Sequence, residues 1–290
     1  MTSMANANPQ AHLSLFKAVV ISDMHVQEHI KDATSYLQIE EKSPYHNPID
    51  ALLNTIKPEG ISGNVLLCPG DIADKASPNG LKYGWERLIQ IKDAIGASSI
   101  IATAGNHDLD SRYTNSLWDP LENIKALRPF FPDENRTRHY EYWSYHFVVH
   151  EAEHFRVLTL NSCAYHAGQN GEANHGRISR LTLDELREEL INFQLGSPKK
   201  VNILVCHHHP TLIPNVNIPD YGSIVMGESL LHFLGSGQAG RWLVVHGHIH
   251  IPNLMYAQGG MASATVLSAG SFSAHLYPEL QGFARNQFYD

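Results

Sequence analysis

Five short polar clusters hold most of the side chains in this chain that could do chemistry. They are Asp23 with His25, Asp71 with Asp74, Asn106-His107-Asp108, His207-His208-His209, and His248 with His250. These are metal-binding residue types. Carboxylates and amide carbonyls are hard oxygen donors and imidazoles are borderline nitrogen donors, a mixture that suits a hydrolytic metal ion with one position left for water. Two ions about 3.5–4 Å apart need a shared anionic ligand, and a carboxylate such as Asp71 can supply it. Their combined charge would make hydroxide available from a bridging water near neutral pH and would neutralise phosphoryl oxygens, while an imidazole protonates the leaving alkoxide. Singly, the clusters say little: Asp-x-His and Gly-Asp often cap helices or make turns, and a run of three histidines is more often surface decoration. Gly-Asn-His-Asp and Gly-His-x-His are sharper, because a glycine turn or alternate strand-end positions deliver two side chains together. The ordered set points to metal-assisted hydrolytic chemistry.

Each cluster follows an apolar run of strand length, at residues 16–21, 64–68, 98–103, 201–206 and 242–245. In layered α/β folds functional groups gather beyond the carboxyl ends of strands, so five such exits can converge although over two hundred residues separate them. Helical spacing of apolar residues occupies 49–56, 81–95, 183–193 and 227–234. Residues 139–142, 144–150 and 155–160 read as closely spaced antiparallel strands, and 254–257, 264–267 and 282–288 as further strand-like pieces. Strand, polar loop and helix in succession imply α/β layers around β-sheet. With no internal repeat or long linker, residues 1–14 are expected to be a disordered lead-in and 15–290 a single domain. Two long polar segments, 29–48 and 164–176, could border a site. Their histidines His29, His46, His166 and His175 read more readily as exposed loop residues than as substrate contacts, while Arg177 is the candidate to hold a phosphoryl oxygen.

Composition narrows the function classes. Of 290 residues 43% are hydrophobic and 17% charged, the balance of a folded globule. The apolar runs are too short to span a bilayer, and residues 1–14 lack the basic-then-apolar order of a secretory signal, so a cytoplasmic protein with no membrane partner is expected. A net charge of −8 without a Lys/Arg cluster disfavours nucleic acid as a partner. Three cysteines, Cys68, Cys163 and Cys206, with no CxxC spacing, read as free buried thiols. Nothing in the linear pattern fixes an oligomeric state, and a homo-oligomer stays open.

The order Asp-x-His, Gly-Asp-x-x-Asp, Gly-Asn-His-Asp, His-His before Pro, and Gly-His-x-His resembles the calcineurin-like metallophosphoesterase superfamily over nearly the whole chain. That resemblance implies a four-layer αββα sandwich, two mixed β-sheets flanked by helices, with a dinuclear centre at the strand ends. It implies that Asp23, His25, Asp71 and His250 hold one metal, and that Asp71, Asn106, His207 and His248 hold the other. His107 would face the leaving group, oriented by Asp74. The run His207-His208-His209 offers three ligands by residue type; the family's ligand comes directly off the strand, which favours His207. The two ions would be divalent or trivalent, Fe, Mn or Zn.

Ala104 stands where the family's Ser/Thr protein phosphatases carry Arg, and His107 stands where its lipid-precursor pyrophosphatases often carry Arg. Asn161-Ser162 and Gly176-Arg177-Ile178 make the chain closest in pattern to the class III cyclic-nucleotide phosphodiesterases. The expected activity is therefore hydrolysis of a small phosphodiester, cyclic nucleotide-like, by a hydroxide bridging the metals. A phosphomonoesterase or nucleotidase on the same site is the alternative. A nuclease and a metal-free scaffold rank below it, because the net charge is acidic without a Lys/Arg cluster and every expected ligand position is filled.

Overall fold

The computed structural model describes residues 16–28, 34–41, 43, 45–166, 175–196, 200–213 and 222–275. Two β-sheets pack face to face with helices on both outer sides, the expected αββα sandwich. The first sheet holds β1 (Ala18–Val20), β2 (Val65–Cys68) and β3 (Ser99–Ala102) in the order β1-β2-β3. The second holds β4 (Phe147–Glu151), β5 (Phe155–Leu160), β6 (Val201–Val205), β7 (Trp242–His246), β8 (Asn253–Tyr256) and β9 (Thr265–Ser268), in the order β4-β5-β6-β7-β9-β8. Only the second sheet is mixed: its four inner strands run parallel, with β4 and β8 antiparallel at the edges. The first is wholly parallel, a correction to the expectation of two mixed sheets. Its three strands are joined by crossovers that carry α1 (Pro48–Ile56) and α2 (Pro78–Ala94), as parallel neighbours require.

Alternation along each strand builds the layers. In β2, Val65 and Leu67 enter a core shared with Ile101, Val157, Ile203, Val205 and Val245, which lies between the sheets. Leu66 and Cys68 point the other way, onto Leu52 and Ile56 of α1 and Trp85 and Leu88 of α2. The second sheet repeats this, with Leu158, Leu204 and Val244 turned toward α5 (Arg180–Gly196) and α6 (Gly227–Gly235). Strands buried on both faces read as continuous apolar runs, which is why they were visible in sequence. Helix starts are equally local: Asn47 accepts the Ile49 amide at 3.0 Å ahead of Pro48, and Ser77 accepts the Gly80 amide at 2.9 Å ahead of Pro78.

The reading of 139–142 as a strand is wrong. These residues lie in α4 (Arg136–Tyr145), which follows the short α3 (Glu122–Lys125). Aromatic density favoured a strand, but Asn135 caps the helix by accepting the Arg138 amide at 3.0 Å. Tyr142 and Trp143 both pack on Phe131, with ring centroids 5.7 and 6.0 Å away, while His139 bonds that residue's carbonyl. Positions 139, 142 and 143 share a face only in a helix. β4 then begins at Phe147. The strand expected at 282–288 lies outside the described residues. Among the described residues no helix is long and apolar enough to cross a membrane.

Candidate metal centre

All five polar clusters emerge at the carboxyl ends of strands: three from the first sheet, after β1, β2 and β3, and two from the second, after β6 and β7. The exits are zipped together beyond the strands. The Asp23 and His25 amides donate to the carbonyls of Gly70 and Asp71 at 3.1 and 3.0 Å, and the Gly247 amide donates to the His207 carbonyl at 3.0 Å. Across the sheets, the His248 amide donates to Asp23 Oδ1 at 3.0 Å and His207 Nδ1 donates to the Pro69 carbonyl at 2.9 Å.

The backbone turns sharply at these exits. Asp23, His25, Asp71, His248 and His250 all have φ between +46° and +76°, the left-handed region that side chains other than glycine seldom enter. Such conformations cost roughly 1–3 kcal/mol each and persist where surrounding structure enforces them, commonly at functional sites. Gly70 and Gly105 meet where two exits cross: a Cβ on Gly70 would lie 2.6 Å from the Gly105 amide nitrogen, and one on Gly105 would collide with the Asp71 carboxylate. Asp108 clasps the same crossing, accepting the Ala73 amide at 3.0 Å and the Gly105 amide at 2.8 Å. Burial first, and then the charge of Asp71, lifts the Asp108 pKa to about 7.

The nine predicted site residues come together. Around His25, its Nε2 lies 3.2 Å from His250 Nε2, 3.4 Å from Asp71 Oδ2 and 4.0 Å from Asp23 Oδ1. His250 Nε2 is 3.4 Å from Asp23 Oδ1. Around His207, its Nε2 lies 2.9 Å from Asn106 Oδ1, 3.1 Å from His248 Nδ1 and 3.3 Å from Asp71 Oδ2. The same oxygen of Asp71 therefore faces both groups. Asp74 Oδ1 accepts from His107 Nδ1 at 2.8 Å and sits 3.7 Å from His25 Nδ1. Asn106 and His107 are half-buried while the other seven are buried, so the cluster opens to solvent on the β3 side.

The donor chemistry fits metal ions. Because His207 Nδ1 gives its proton to the Pro69 carbonyl, a neutral ring presents a lone pair at Nε2. That lone pair faces an amide oxygen, a carboxylate oxygen and another imidazole nitrogen, an arrangement that suits a cation at its centre. In the metal-free chain protons serve instead. Burial opposes charge on His25, but hydrogen bonds to Asp71 and Asp74 raise its pKa to about 10. Burial likewise opposes charge on His207, and Asp71 overcomes it, to about 9. Burial would raise the carboxyls of Asp23 and Asp71, yet the neighbouring histidines hold both below the ordinary range. Burial followed by the charge of His207 keeps His248 well below the ordinary histidine range, so its ring stays neutral.

Several supporting residues carried no signal in sequence. Ser22 Oγ donates to Asp23 Oδ2 at 2.5 Å, and Ser271 Oγ to the Asp23 carbonyl at 2.8 Å. Gln27 Nε2 and Thr34 Oγ1 donate to Asp74 Oδ2 at 3.2 and 2.9 Å. Such second partners lie far apart in sequence and have ordinary polar types, so only the folded chain reveals them. His166, read as an exposed loop residue, is buried, its ring centroid 5.0 Å from that of His208; His46 is exposed and His175 half-buried. His29 lies outside the described residues. Arg177 is half-buried, and its amide donates to the Ser162 carbonyl at 3.0 Å, which ties its segment to the exit of β5.

Two packed sheets with buried histidines and aspartates at converging strand ends define a layered α/β protein built around a candidate metal centre. The family model for calcineurin-like phosphoesterases matches residues 16–252, and the chain belongs to that family. Among solved structures it is similar to the purple acid phosphatase PPD1 from yellow lupin (Lupinus luteus) seeds, with 14% identity and a TM-score of 0.56 over 90% of this chain and 45% of that one. The chain thus spans less than half the length of that phosphatase. It is also similar to the phosphopantetheinyl hydrolase PptH from Mycobacterium tuberculosis, with 14% identity and a TM-score of 0.44 over 88% of this chain and 89% of that one. A putative 5'-nucleotidase from Staphylococcus aureus matches with 12% identity and a TM-score of 0.43, over 88% of this chain and 48% of that one. No curated protein matches the chain in sequence.

Proposed function

We propose that the chain is a dinuclear metal-dependent phosphoesterase that hydrolyses a small phosphodiester. One observation carries this reading: Asp71 Oδ2 stands 3.4 Å from His25 Nε2 and 3.3 Å from His207 Nε2, a single carboxylate oxygen between two donor sets. Asp23, His25, Asp71 and His250 would hold one ion; Asp71, Asn106, His207 and His248 would hold the other. When bound, a pair of Fe, Mn or Zn ions supplies Lewis acidity at the phosphoryl oxygens and a nucleophile drawn from water at neutral pH.

The remaining steps belong to side chains. Asp74 accepts from His107 Nδ1 and so fixes the ring with Nε2 free to exchange a proton. The half-exposed position of His107 suits a group that meets substrate at the opening and protonates the leaving alkoxide. Gln27 and Thr34 hold the other Asp74 oxygen and keep that carboxylate aimed. His207 is this centre's ligand from the triple-histidine run, because its Nε2 faces Asp71 and Asn106 whereas His208 Nδ1 faces Ser162 Oγ at 2.9 Å. Ala104, buried where a protein phosphatase of the family would carry Arg, and the Gly176-Arg177 segment beside the β5 exit favour a small diester.

The test is hydrolysis of bis-p-nitrophenyl phosphate beside p-nitrophenyl phosphate, with Mn²⁺ and with chelator, for the native chain and Asp71→Ala. Metal-dependent diester cleavage that disappears in the variant is expected. Faster monoester cleavage would overturn the diester preference, and activity that survives Asp71→Ala or chelation would overturn the dinuclear reading.

A further inference from the structure

Beside the centre described above lies a second group of metal-ligand side chains that this proposed mechanism leaves unused. Cys163, His166 and His208 are all buried, at 1%, 2% and 0% exposure, and one donor atom from each lies within 4.8 Å of the others. Two of them share a turn after β5. The His166 amide donates to the Cys163 carbonyl at 3.1 Å, so the Cys-x-x-His spacing brings thiol and imidazole to the same side. The third arrives from the exit of β6. Cys163 Sγ stands 3.8 Å from His208 Nδ1. Metal–sulfur and metal–nitrogen bonds of zinc length at a tetrahedral angle place those two atoms roughly 3.6 Å apart, so the pair is already spaced as ligands of one ion.

We propose that Cys163, His166 and His208 form a separate site for a thiophilic ion, Zn²⁺ in preference to Mn²⁺ or Mg²⁺. A thiol and two imidazoles are soft to borderline donors with no carboxylate among them, unlike the mixed carboxylate, amide and imidazole donors around Asp71. Binding forms a metal–thiolate bond. The thiol proton, now donated to the Ala104 carbonyl at 3.2 Å, passes to solvent. Ser162 Oγ, which faces His208 Nδ1 at 2.9 Å, gives that nitrogen up to the ion and keeps the His208 amide as its donor at 3.2 Å. Three protein ligands leave a tetrahedral ion one further position, for water or another donor, and their burial holds the ion away from bulk solvent. It would pin the β5 turn to the β6 exit, one residue from His207.

The experiment loads the full-length chain with Co²⁺ and records the near-ultraviolet sulfur-to-Co²⁺ charge-transfer band together with bound metal per chain. The native chain is expected to show the band and to hold one equivalent more than Cys163→Ser, which lacks it. His166→Gln keeps the thiol and is expected to lower occupancy of that equivalent. Asp71→Ala is expected to lose metal from the other centre while retaining the band, which separates this inference from the dinuclear reading. A native chain without the band, or equal metal content in native and Cys163→Ser chains, overturns the proposal.

Discussion

The two donor sets that meet at Asp71 are built alike but charged differently. Around His25 stand two carboxylates, Asp23 and Asp71, and two imidazoles; around His207 stand one carboxylate, one amide and two imidazoles. In the metal-free chain the first set answers its excess of negative charge by raising His25 to about 10, while the second, beyond His207, holds His248 well below the ordinary range. The first is thus an anionic cradle and the second closer to neutral. On the dinuclear reading proposed above, a more highly charged ion would suit the first and a divalent ion the second.

Single-ligand variants should break that symmetry most visibly. His250→Ala removes a ligand from the anionic set and His248→Ala one from the neutral set, so each is expected to lose one ion while retaining the other. The His248 variant should recover activity at millimolar Mn²⁺ more readily than the His250 variant, read by metal analysis and by diester turnover against added metal. Equal rescue of both would erase the distinction between the sets.

A smaller effect sharpens the link between the sets and the opening. Asp74→Asn leaves all seven proposed ligands in place but replaces the carboxylate that fixes His107. A fall in kcat of roughly 10–100-fold is expected with metal content unchanged. The acidic and basic limbs of the pH–rate profile should also move, which a merely structural role would not produce. An unchanged profile would remove Asp74 from the proton step.

The smallest effect concerns the metal-free chain. His25 and His207 have pKa values of about 10 and 9 against an ordinary 6.5. Because the folded values are the higher, the stability these rings contribute is complete below 6.5 and is lost as pH rises through 9 and 10. The Tm of chelator-treated protein is expected to fall over that range, and metal loading to reduce the fall, since bound ions replace the protons. A flat Tm in the chelated protein would contradict the charge balance drawn above.

The convergence of these side chains was legible in sequence because strand exits write donor residues in short local strings. Asp23 with His25, or His248 with His250, needs only a β-run and alternate positions to be recognised. Their layering was legible for the same reason, since doubly buried strands such as Val65–Cys68 are unbroken apolar runs. The segment of α4 was misread because Tyr140, Tyr142, Trp143 and Tyr145 are individually strand formers, while the cap at Asn135 and the face shared by residues 139, 142 and 143 make a helix. Ser22, Gln27 and Ser271 could not be found at all. A hydroxyl or amide that steadies a ligand across 248 residues, as Ser271 does at Asp23, has no local pattern. His166 failed for a related reason: its burial comes from His208, a residue far along the chain.

The most direct test of a shared Asp71 is the electron paramagnetic resonance spectrum of the chain loaded with two equivalents of Mn²⁺. A carboxylate common to both ions predicts an exchange-coupled multiline signal that collapses to that of isolated Mn²⁺, or is lost, in Asp71→Ala. Two uncoupled ions in the native chain would contradict the account.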